Sequence, residues 1–76
     1  MSISQRAVIL IRLDGRRGNF VPVADLAQHM GLCEEVVRQR INELWTDGWV
    51  QPLWDKMGGG TVMVAVMAVK RLPSGG

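Results

Sequence analysis

The stretch from residue 24 to residue 50 limits what this chain can fold into more than any other part of it. Leu26, Ala27 and Met30 share one face of a short helix over residues 24–30, and Gly31 closes that helix. Val37, Ile41 and Leu44 then recur at i, i+4 and i+7, which predicts a second helix over residues 34–47 with one buried stripe. Only Gly31, Leu32 and Cys33 separate the two, so the helices must turn sharply and bury their stripes against each other. Ala27 is small where they cross. Gly48 lets the chain leave the second helix and enter Trp49-Val50, where the pattern changes.

The flanks supply the rest of the core. Residues 2–14 read as a helix, with Ser2 and Gln5 at capping-box spacing and Gly15 placed to end it in a left-handed conformation. Ile3, Ala7, Leu10 and Ile11 form its stripe, while Val8, Ile9 and Leu13 fall partly outside it. A helix this apolar is expected to be covered on more than one side, by the C-terminal strand or by another subunit. Arg16-Arg17-Gly18-Asn19 reads as a loop, and residues 20–23, with Pro22, suit a short edge strand. Residues 49–55 and 61–69 read as strands flanking a flexible tip at 56–60, and residues 72–76 as a frayed tail. Residues 62–69 are apolar at every position, so both faces of that strand are expected to be covered.

Seventy-six residues with 47% hydrophobic and 21% charged side chains make one globular domain over residues 1–76. The apolar runs are too short for a membrane span, and the first six residues lack the pattern of a secretory signal. The single cysteine excludes an internal disulfide and fits a cytoplasmic setting. Cys33 and His29 alone do not make a Cys/His metal site, and no cofactor is expected. No nucleophile triad or carboxylate pair can be assembled, and Gly58-Gly59-Gly60 lacks the lysine and following helix of a P-loop. An enzyme is not expected.

Over residues 24–50 the chain resembles the winged helix–turn–helix superfamily of small bacterial and phage transcriptional regulators. Leu26-Ala27, Met30-Gly31-Leu32, Val37, Ile41, Leu44 and Gly48-Trp49-Val50 carry the resemblance. It implies an α+β fold of three helices, a short edge strand and a C-terminal two-stranded β-hairpin wing. It also implies a DNA-binding regulator of transcription that reads the major groove with its third helix. Projecting that helix at 100° per residue from Val37 directs Glu35, Gln39, Asn42 and Thr46 outward, flanked by Val36, Arg38 and Glu43. The amides of Gln39 and Asn42 suit adenine, and Arg38 suits guanine or phosphate. Arg16, Arg17 and Lys56, with Arg38 or Arg40, are the expected backbone contacts on double-stranded DNA.

Charge distribution qualifies that picture. Residues 1–22 carry a balance of +3 and residues 51–76 of +2, but residues 23–50 carry −3. Glu34 and Glu35 suit the positive end of the helix dipole and repel phosphate. The motif alone is too acidic to hold DNA, so a homodimer is expected, joined through Ile9, Leu13 and the strand at 62–69. The competing expectation is a winged helix used only for protein–protein contact. Trp45, Trp49 and Trp54 are read as core or flank packing, with a base-stacking platform as the alternative. The methionines are read as core filling that also suits an adaptable interface, His29 as a plain surface residue, and Cys33 as a small buried N-cap substitute.

Overall fold

The computed structural model describes residues 3–16 and 18–72. The element order is α1 (Gln5–Asp14), β1 (Val21–Pro22), α2 (Val23–Met30), α3 (Glu34–Thr46), β2 (Val50–Met57) and β3 (Gly60–Ala68). This is an α+β fold of three helices and one three-stranded antiparallel sheet in the order β1-β3-β2. β1 therefore lies at an edge, where Pro22 interrupts no central ladder. Pairing of Val21 with Val66 ties it to β3. Gly31 closes α2 with φ of 68°, in the left-handed region, and its backbone leads Leu32 N–H to the Ala27 carbonyl at 3.0 Å. Gly48, at φ of 81°, turns the chain out of α3 and into β2.

The core lies between the helices and one face of the sheet. Ile9 and Leu13 of α1, Val23, Leu26 and Ala27 of α2, and Val37, Ile41 and Leu44 of α3 meet Val21, Val50, Met63 and Val66 there. Leu10, Met30, Leu32, Trp49 and Ala68 pack against this cluster from its margins.

α1 differs from its expected setting. Ser4 rather than Ser2 is the N-cap, its hydroxyl accepting from Ala7 N–H at 3.1 Å. Ser2 and its capping box lie outside the described residues. Gly15 is right-handed, and the chain reverses instead at Gly18, whose φ is 77°. The buried stripe is Ile9 and Leu13, whereas Ile3 and Ile11 are exposed, so the helix is turned by roughly a third of a turn from the expected face. Two arginines find acidic partners in that rotation. At 100° per residue, Arg6 and Arg12 stand about 60° to either side of Ile9. Arg6 reaches Glu43 of α3 at 3.7 Å, and Arg12 reaches Asp25 of α2 at 3.8 Å. The exposed Arg6–Glu43 pair contributes little stability alone, and with the half-buried Arg12–Asp25 pair it favours this rotation. Ile9 and Leu13 are accordingly internal packing of this chain and cannot form the expected contact with a second subunit.

The hairpin is also more ordered than a five-residue flexible tip. Met57 pairs with Gly60, leaving a two-residue turn of Gly58 and Gly59. Gly58 has φ of 63°, at the first turn position, where a type II′ turn requires a positive angle. Further along, Leu53 pairs with Ala65 and Trp54 with Met63, so Val64 is the extra residue of a β-bulge. β3 is the central strand. Residues 62–68 are all buried or half-buried, which its apolar run requires, while Val69 is exposed. Of the 72–76 tail, only Leu72 is among the described residues, and it is half-buried.

Candidate nucleic-acid interface

α3 is positioned by its buried stripe, so its opposite side is free of the protein. Glu35, Gln39, Asn42 and Thr46 are all exposed along it. The helix starts at Cys33, an N-cap that makes no side-chain cap bond and is exposed rather than buried. With no hydroxyl to accept from the first free N–H groups, Glu34 and Glu35 supply the negative charge that the helix start favours. Gln39 and Asn42 have no side-chain partner among the described residues. The Thr46 hydroxyl donates to the Asn42 carbonyl at 3.0 Å, which commits its proton to the helix.

The arginines of α3 are not available in the way their spacing implies. Arg38 Nε donates to the Met63 carbonyl at 3.0 Å, beside the bulge, and its other arm donates to Glu34 at 3.0 Å. A bulge disrupts the ladder locally, and Arg38 supplies a donor to a carbonyl next to it. Arg38 is thus a strut between α3 and the sheet. A base or phosphate contact by Arg38 would have to compete with that pairing. Arg40 donates to Glu43, which Arg6 also approaches. Val36 is half-buried and offers only part of its surface.

Of the remaining expected backbone contacts, Arg16 is half-exposed and stands 3.9 Å from Asp25, while Arg17 lies outside the described residues. Lys56 is exposed on the hairpin arm, and its ammonium group has no acidic partner among the described residues. Arg16 lies just past the end of α1 and Lys56 on the hairpin arm β2.

The tryptophans divide. Trp49 is half-buried against the core, with Lys70 Nζ 5.2 Å from its ring centroid, a cation–π distance. Trp45 and Trp54 remain 47% and 42% exposed and meet at a centroid separation of 5.8 Å and an interplanar angle of 55°. That contact joins the end of α3 to the hairpin arm two residues before Lys56. The sequence signal for it was the alternation of Pro52, Trp54 and Lys56 along β2, which places the second tryptophan on the side of the strand turned towards the helices.

Among the described residues, no helix is long and apolar enough to cross a membrane, and no group of three or more His, Cys, Asp or Glu side chains is placed to hold a metal ion. No protein-family model, no curated protein and no solved structure matches the chain.

Proposed function

We propose that this chain is a winged helix domain that binds double-stranded DNA and regulates transcription. The observation that carries the reading is the pair of uncommitted amides, Gln39 and Asn42, three residues apart on the exposed side of α3. Amides at this spacing suit adenine edges in the major groove, which admits one helix. The supporting arrangement is a short helix, a left-handed glycine turn, a second helix and then a hairpin, with the Trp45–Trp54 contact bracing the hairpin against α3. Lys56, and Arg16 from the opposite flank, would hold phosphates.

With so few free cations among the described residues, a single copy makes a weak complex, and a dimer on paired half-sites would double the contacts. Ile3 and Ile11, the exposed apolar residues of α1, are the revised candidates for such pairing.

A gel shift on generic duplex DNA across a salt series tests the reading, with light scattering for the subunit count. Binding should weaken steeply with salt, and Lys56→Ala should lower the slope of log affinity against log salt by about one per chain. Absence of binding at low salt, from folded protein, would overturn it. That result would favour the second reading, a protein-interaction module. Its support is the −3 balance over residues 23–50, the arginines already paired with carboxylates, and the half-exposed tryptophans.

A further inference from the structure

A cleft of about 420 Å³ runs between the second half of α1 and the far end of α2, lined by Val8, Ile11, Arg12, Gly15, Arg16 and His29. Its volume falls within the range of small-molecule sites, roughly 300–1,000 Å³. One wall is apolar, and Ile11 remains 53% exposed there. The other wall is cationic. Arg12 lies on the last turn of α1 and Arg16 just past its end, and both approach the same Asp25 oxygen, at 3.8 and 3.9 Å. Those distances are too long for hydrogen bonds. That Asp25 oxygen and Arg12 Nε are both withdrawn from solvent without a hydrogen-bond partner. Two guanidinium groups hold ten N–H donors against one carboxylate, so positive charge and donors are left over beside an apolar surface. His29 lies one turn beyond Asp25 on α2 and adds a further polar group.

We propose that this cleft binds a small organic carboxylate. The anion takes the N–H groups of Arg12 and Arg16 that Asp25 leaves unengaged, planar forks suited to a carboxylate, and the apolar body lies on Val8 and Ile11. A bare anion leaves the apolar wall wet, and a neutral hydrocarbon leaves the surplus charge unanswered. The combination of walls selects a molecule that has both parts. The cleft uses no residue of α3 or the hairpin, but it shares Arg16 and Ile11 with the proposed phosphate contact and pairing surface, so the test is run without DNA and its failure leaves the gel-shift result standing.

Benzoate is the probe, titrated into the full chain without DNA and followed by amide chemical shifts. Benzamide, acetate and inorganic phosphate serve as comparisons. Benzoate should bind saturably, with shifts centred on Val8, Ile11 and His29, and about tenfold more tightly than each comparison compound. Arg16→Gln and Ile11→Ser, both on the exposed rim, should each weaken benzoate by about tenfold without moving the melting temperature. Equal binding of benzamide would reduce the site to an apolar groove and overturn the proposal, and equal binding of phosphate would reduce it to a plain anion site with the same consequence. No saturable shift in the unaltered chain, or unchanged benzoate affinity in Arg16→Gln, would also overturn it.

Discussion

α1 and α3 are both helices with one buried stripe, yet only α3 shows in its sequence which stripe it buries. α3 has Val37, Ile41 and Leu44 on one side and mostly polar or charged residues elsewhere, so burial has one solution. α1 has seven apolar residues among positions 3–13, spread around its circumference. Several rotations of it would bury similar apolar area, and area is what the hydrophobic effect counts. The choice falls to smaller terms: the reach of Arg6 to Glu43, of Arg12 to Asp25, and the fit of Ile9 and Leu13 into the space left by the other elements. Residual periodicity is a good guide where polar residues exclude the alternatives, and a poor one where they do not.

The largest test of that contrast compares Ile9→Ala with Ile11→Ala. Ile9 is fully buried, so its truncation should cost about 2–5 kcal/mol, enough to unfold much of a domain this small. Ile11→Ala should change stability by less than about 0.5 kcal/mol, because its side chain is already half in water. Thermal unfolding of the two variants decides the matter, and a reversed order would mean that α1 buries its other stripe.

An intermediate effect is expected at Arg38. Arg38→Met keeps the length and apolar stem but removes the donor to the Met63 carbonyl, which should cost about 1–3 kcal/mol in urea unfolding. A variant as stable as the parent would show that the bulge needs no support from α3, and would return Arg38 to the list of groups free to meet a partner.

The smallest effect on stability is expected on the open side of α3. Gln39→Ala and Asn42→Ala should each stay within about 0.5 kcal/mol of the parent. If the DNA reading holds, each should nonetheless weaken a selected duplex by about 1–3 kcal/mol while leaving generic DNA affinity nearly unchanged. Equal loss on both kinds of DNA would mean that these amides contact the backbone rather than bases.

Much of the fold was legible from local chemistry. Gly31 and Gly48 marked the turns because their positive φ angles are strained for other residues. The apolar run at 62–69 marked a covered strand, which became the centre of the sheet as far as Ala68, with Val69 exposed beyond it. The outward side of α3 followed from its period alone. The candidate site was less legible. Arg38 lies beside the outward residues of α3, but its partner is a carbonyl 25 residues away, next to a bulge that no spacing announces. The cleft on α1 was hidden for a related reason, since Arg12, Arg16 and His29 come together only once α1 has settled its rotation against α2.

The sequence by itself determined the elements, their order and the two-helix turn at residues 24–50, because helix period, glycine conformation and apolar runs act over short stretches. Tertiary structure decided how α1 is rotated, which cations are paired off and which remain free. Those outcomes depend on small differences between near-equal packings and on partners distant in the chain, and neither is written in any one segment.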